Sequence, residues 1–187
     1  RDSRTADQMI LAPTPIAGMF ELTAEVHRDA RGAFARLYCP GRFAAAGIDF
    51  APTQINLSVN THCHTLRGLH FQRPPLAEAK LVRAVAGRVW DVAVDLRAGP
   101  GFGRWHAVTL DAGAMNAVFL PEGVAHGFLT LTADAQILYQ MGRDHVPGAG
   151  LGIAWDDPDL SLPWPSVPRL LSDADRNWPR LRDITPL

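Results

Sequence analysis

Fifteen prolines and sixteen glycines punctuate the 187-residue chain almost evenly, leaving segments too short for a bundle of long helices. Strands fit that spacing. From Gln54 to Asn60 the sequence QINLSVN alternates strictly. Ile55, Leu57 and Val59 fall on one side; Gln54, Asn56, Ser58 and Asn60 fall on the other, as a period of two requires. The same reading covers 20–26, 33–39, 80–86, 88–96, 104–110, 116–120, 127–131 and 135–141, with Gly87, Gly113 and Gly123 in the gaps. Helical signals are confined to a short piece over 42–46, which Gly47 terminates, and a turn or two opened by Ser172. Many short strands without a strand-helix-strand rhythm predict an all-β jelly-roll sandwich or barrel with a few short helices. Residues 142–168, rich in Gly, Pro and Asp, read as a long surface loop of the kind that is often functional.

Composition narrows the function classes. The hydrophobic fraction is 47% and the length suffices for one sizeable core, so one domain over 1–187 is expected. Eighteen basic and nineteen acidic residues are scattered rather than blocked, which argues against a surface for nucleic acid or anionic membrane. Any phosphate binding must be local. Two cysteines, Cys39 and Cys63, cannot staple a scaffold of this size and form no CxxC pair, so a reducing cytoplasm is expected. No apolar run approaches the roughly 20 residues of a membrane span, and the first residues show no hydrophobic signal core.

Three of the seven histidines cluster in NTHCHTLRGLHF. His62 and His64 form an HxH pair, but no Glu follows until Glu78, so the pair reads as exposed loop rather than as metal ligands. The glycines of PGAGLG (147–152) resemble a phosphate-cradling loop only superficially, because no strand leads in and no helix follows. Lys80 is the only lysine and stands at the head of the apolar strand KLVRAVA, where a compact cation can face a pocket. In LRGLHF, simple alternation puts Arg67 and His70 on opposite faces. A bulge at Gly68 would turn both toward one cavity.

Taken together, LRGLHFQ (66–72), Lys80 within 80–97, PEGVAHGFLTL (121–131), Tyr139, GIAWDDPDLSLPWP (152–165) and LSDAD (171–175) resemble the dTDP-4-dehydrorhamnose 3,5-epimerases. DARGAF (29–34) and QIN (54–56) fit the same family, so the resemblance spans nearly the whole chain in order. It implies a cupin-type jelly roll without metal or organic cofactor. It also implies a homodimer with exchanged amino-terminal strands and a substrate made of a 4-keto-6-deoxy sugar on a nucleoside diphosphate. Hydrogens at C3 and C5 flank the C4 ketone, so each can leave as a proton while an enolate forms. That chemistry needs a base, a proton donor on the opposite face, and a cation or donor at the enolate oxygen.

Carried over by position, the resemblance makes His70 the base, Asp175 its orienting carboxylate, Tyr139 the acid and Lys80 the cation near the C4 oxygen. It matches Arg67 and His126 to sugar- and phosphate-side contacts, Arg31 to the diphosphate, and Gln54 and Asn56 to the nucleotide. Plainer readings stand beside these: Asp175 as the second half of a capping box opened by Ser172, Tyr139 as a core residue in line with Ile137 and Met141, and His126 as a buried structural histidine. Four positions depart from the family pattern: Arg36, His145, Gly150 and Ala174. All belong to substrate or nucleotide surroundings, so one inversion rather than two, or a different nucleotide, is left open.

Overall fold

The computed structural model describes residues 9–144 and 146–187; His145, one of the four departures, lies outside the described residues. The first strands are β1 (Ile10–Pro13), β2 (Phe20–Thr23), β3 (Val26–Asp29) and β4 (Gly32–Ala35), followed by helix α1 (Pro40–Ala45). Next come β5 (Gln54–Asn60), β6 (Leu66–Phe71), β7 (Lys80–Ala86), β8 (Arg88–Asp95), β9 (Trp105–Asp111) and β10 (Ala117–Leu120). The chain closes with β11 (Val124–Thr130), β12 (Ala135–Met141), β13 (Leu151–Gly152) and helix α2 (Asp173–Arg176).

These strands build a cupin-type jelly roll of two antiparallel sheets, ordered β1-β2-β10-β7-β12-β5 and β13-β6-β11-β8-β9, with β3-β4 as a separate hairpin. Inward side chains alternate with outward ones, so three apolar layers form. Between the sheets, Val82, Ala84, Val118 and Ile137 meet Val89, Ala93, Val124 and Phe128. Outside the second sheet, Leu69, Phe71, Val92 and Val94 are covered by the carboxyl-terminal segment through Ile153, Leu160 and Leu181. Outside the first, Leu81 and Phe119 are covered by Phe43 of α1 and by Phe50. Burying side chains of this size contributes about 1.5–3 kcal/mol each, which is where the sandwich gains most of its stability. The described residues contain no helix long and apolar enough to cross a membrane.

The period-two segments 54–60, 80–86 and 135–141 are strands over those same residues. Two others are shorter than their pattern suggests. The 20–26 segment breaks into β2 and β3, and the 33–39 segment stops at Ala35 because Pro40 opens α1. α1 is closed by Gly47, two residues past its last one, whose φ of +75° permits the bond from its N–H to the Ala44 carbonyl. The four-residue β1 carries too little periodicity to be recognised. The faces of β5 are inverted relative to an ordinary half-buried strand. Asn56 and Ser58 pair with Tyr139 and Ile137 and so share the inter-sheet side, whereas Ile55, Leu57 and Val59 are 61%, 53% and 52% exposed on the outside. β5 is the last strand of its sheet, so this apolar row runs along a free edge.

Candidate active site

The site grows out of a break in register. β6 and β11 pair His70 with His126 and then Arg67 with Phe128, so one extra residue is accommodated around Gly68. Opposed residues of an antiparallel pair point to the same side, and Phe128 belongs to the inter-sheet core. Arg67 and His70 are thereby brought to one side, and both line a cavity of about 400 Å³ with Asn60, His62, Ala174 and Asp175. Glycine is required at the bulge on two counts. Gly68 has φ +119°, and a Cβ there would lie 2.6 Å from Gly127 Cα and 2.7 Å from the His126 carbonyl oxygen.

His70 is half-exposed to this cavity while its partner is not: the side chains of His70 and Asp175 are 45% and 5% exposed. Nε2 of His70 lies 2.6 Å from Asp175 Oδ1. A carboxylate only accepts, so Nε2 carries the proton and Nδ1 is left as the basic nitrogen. Burial disfavours the Asp175 charge, but His70, the Trp178 indole N–H and the Gly68 N–H outweigh it and hold the carboxyl below its ordinary value. The capping geometry is present as well, since Ser172 Oγ accepts from the Asp175 N–H at 3.0 Å. The box does not close, because the carboxylate turns to His70 instead of back to Ser172. Ser172 fixes the backbone; the side chain is free for the imidazole.

A second histidine-carboxylate pair lies deeper. His126 Nε2 meets Asp91 Oδ2 at 2.8 Å, with side chains 4% and 0% exposed. Asp91 is raised above the usual carboxylate range by burial, against the pull of His126 and Lys80, and its Oδ1 has no hydrogen-bond partner. The His126 ring stands edge-on to Tyr139, with centroids 6.0 Å apart. Burial pushes the Tyr139 phenol well above its ordinary value; the Asp91 charge adds to this and Arg67 opposes it. The phenol therefore holds its proton at neutral pH. Lys80 is buried and ion-paired at 3.1 Å with Glu78, so its charge is compensated within the protein.

Arg67 is steadied from the edge strand, its Nε donating to Asn60 Oδ1 at 2.7 Å while Asn60 Nδ2 donates to the Ala135 carbonyl. Gln54 and Asn56 bond to one another on the inter-sheet side of β5. Arg31 stays apart: it sits on the β3-β4 turn, paired with Asp29 and 90% exposed, and lines a separate groove of about 500 Å³ with Phe34. His62 borders the His70 cavity, whereas His64 Nδ1 lies 3.4 Å from Ser166 Oγ. Of the remaining departures, Ala174 lines the His70 cavity and Arg36 and Gly150 are exposed elsewhere.

Sequence reasoning missed Asp91, Asn60, Glu78 and Trp178. Asp91 carried a signal, a carboxylate in the middle of an otherwise apolar strand with Val89 and Ala93 on its own face. The other three had none: Glu78, Asn60 and Trp178 lie two, seven and three residues from Lys80, Arg67 and Asp175, yet no periodicity or motif marks those pairs before the fold is known.

The family model described as dTDP-4-dehydrorhamnose 3,5-epimerase matches residues 13–183. The dTDP-4-dehydrorhamnose 3,5-epimerase of Methanothermobacter thermautotrophicus is 37% identical over 174 residues, covering 91% of this chain and 93% of that one. The dTDP-4-dehydrorhamnose 3-epimerase of Streptomyces niveus is 39% identical over 171 residues, covering 90% and 82%. Among solved structures, the dTDP-6-deoxy-D-glucose-3,5-epimerase of Legionella pneumophila, in complex with dTDP-4-keto-L-rhamnose, superposes with a TM-score of 0.89. It is 32% identical and covers 95% of each chain.

Proposed function

The chain belongs to the dTDP-4-dehydrorhamnose 3,5-epimerase family, an isomerase family, and from that membership we propose how its residues divide the work. The substrate is dTDP-4-dehydro-6-deoxyglucose or a close relative. His70 Nδ1 removes the proton beside the C4 ketone, and Asp175 stabilises the imidazolium that results. The electrons move onto the ketone oxygen, where Lys80 supplies positive charge, and Tyr139 returns a proton from the other face. Arg67 and His126 bind the sugar and phosphate side; Gln54 and Asn56 meet the nucleotide. The observation that carries this reading is the half-exposed His70 held against a buried carboxylate in one cavity with Arg67.

Incubation with dTDP-4-dehydro-6-deoxyglucose in deuterated water tests it: label at C3 and C5 is expected. Absence of label at both carbons refutes catalysis and leaves a sugar-nucleotide-binding protein. The 39% identity to a 3-epimerase favours one second reading, a single inversion, which would label C3 alone.

The same proposal includes a homodimer. Exposed Ile55, Leu57 and Val59 on a free sheet edge support it, as does the exposed Arg31, whose own chain holds it apart from the His70 cavity that a nucleotide role would have it serve. Light scattering of the purified protein should give twice the 20.4 kDa chain mass. A reducing cytoplasmic setting and a single domain over 1–187 complete the reading; the free state of Cys39 and Cys63 supports the former.

A further inference from the structure

The Asp175 carboxylate has a donor that the reaction scheme does not use. Trp178 Nε1 donates to Asp175 Oδ1 at 3.0 Å, the same oxygen that His70 Nε2 reaches at 2.6 Å. The indole does not line the His70 cavity; it stands behind the pair, edge-on to His70 with ring centroids 6.3 Å apart. Its seat is Gly152, which pairs with His70 through β13 and β6. A Cβ on Gly152 would lie 2.5 Å from Trp178 Nε1 and Cε2, so a side chain there would push the ring off the carboxylate.

We propose that Trp178, seated on Gly152, is a positioning residue that fixes the Asp175 carboxylate and thereby sets the pH range in which His70 works as a base. The proposal rests on the reading of His70 as that base. A donor to an ionised carboxylate stabilises the charged form. Without it the carboxylate becomes more basic and holds the proton on Nε2 more tightly, so the imidazolium is favoured and neutral His70 exists only at higher pH. Other polar and titratable groups near the pair are Arg67 from the bulge, His126 with Asp91 from β11 and β8, Tyr139 from β12, His62 across the cavity, and Asp173 and Arg176 on α2. A substitution at Trp178 removes none of these groups.

The experiment measures substrate deuterium exchange against pH for the wild type, Trp178→Phe and Gly152→Ala, each first shown to be folded by its thermal melt. Trp178→Phe should lower kcat about tenfold with KM within about twofold, as expected when one charge-assisted bond to a catalytic pair is lost. The acid limb of the profile should move to higher pH. Gly152→Ala keeps the indole in the chain but displaces it, so its limb should move the same way, and it decides the matter if Trp178→Phe does not fold. An unmoved acid limb, with or without a uniform loss of rate, overturns the proposal. If the wild type exchanges neither carbon, the proposed function fails instead. The His70 imidazole titration followed by NMR then still tests the contact, and an unchanged titration in both variants refutes it.

Discussion

Gly68→Ala is the perturbation that most directly tests how this site is assembled. Two costs can be worked out from the structure. The φ of +119° at this position strains any residue with a Cβ, by about 1–3 kcal/mol. The new Cβ would also lie 2.6 Å and 2.7 Å from backbone atoms of Gly127 and His126, which cannot swing aside as a side chain would. Overpacking of that kind adds about 1–3 kcal/mol. The sum, about 2–6 kcal/mol, is a large part of the 5–15 kcal/mol that ordinarily holds a domain together. At about 2–4 °C per kcal/mol for a chain of this size, the melting temperature should fall by about 10 °C. Relief is available if β6 abandons its extra residue, but regular pairing returns Arg67 to the face opposite His70. Activity should therefore fall further than the loss of folded protein accounts for. Calorimetry with exchange kinetics below the melt measures both effects. Gly148→Ala is the control, since Gly148 has φ +79° with nothing near the would-be Cβ and so isolates the conformational cost from the contact. A Gly68→Ala protein that melts with the Gly148→Ala variant and exchanges at the wild-type rate would refute the bulge as the device that gathers the site.

Other expectations concern individual groups. His70→Ala should lower exchange by about 10²–10⁴-fold, the usual worth of a general base; full exchange in the variant eliminates the assignment. Tyr139→Phe should impair reprotonation on one face more than substrate binding, and unchanged rate and product stereochemistry count against the phenol. Asp175 is held below the ordinary carboxylate value near 3.8, so its stabilising contribution is complete above that value and disappears as pH falls through the folded one. Asp175→Asn should thus melt below the wild type at pH 7, with the gap closing below about pH 4, and a gap independent of pH removes the linkage.

Most of the fold was legible because period-two alternation between breaking residues is a local property. Residues 54–60, 80–86 and 135–141 needed nothing else. Which side of a strand meets the interior is not local, and β5 shows why. Its apolar row is exposed and its polar row shares the inter-sheet side with Tyr139 and Ile137, at the end of which Asn60 holds Arg67. The site was legible where backbone chemistry announced it: Gly68 between Arg67 and His70 pointed to the bulge. It was illegible where a side chain acts on a distant segment. Asp175 contacts His70 across more than a hundred residues, so no spacing rule reaches the pair and only the family resemblance named it; Trp178, three residues past Asp175, has a role only because that pair forms.

The two histidine-carboxylate pairs are one chemical combination placed at two depths, with different electrostatic surroundings. Both have a ring nitrogen within 2.8 Å of a carboxylate oxygen. In the outer pair, Asp175 has donors on both oxygens and the imidazole is open to the cavity, so charge on the carboxylate is stabilised and protons can come and go at His70. In the inner pair, both partners are sealed from water and one oxygen of Asp91 is unsatisfied, so any charge there is costly and must lean on His126 and Lys80. A base that cycles between protonation states needs the first environment. The second environment lies beside Tyr139, whose phenol burial holds protonated, with the Asp91 charge adding to that effect. The register shift at Gly68 leaves His70 opposite His126 on adjacent strands, so a half-exposed imidazole and a sealed one stand side by side.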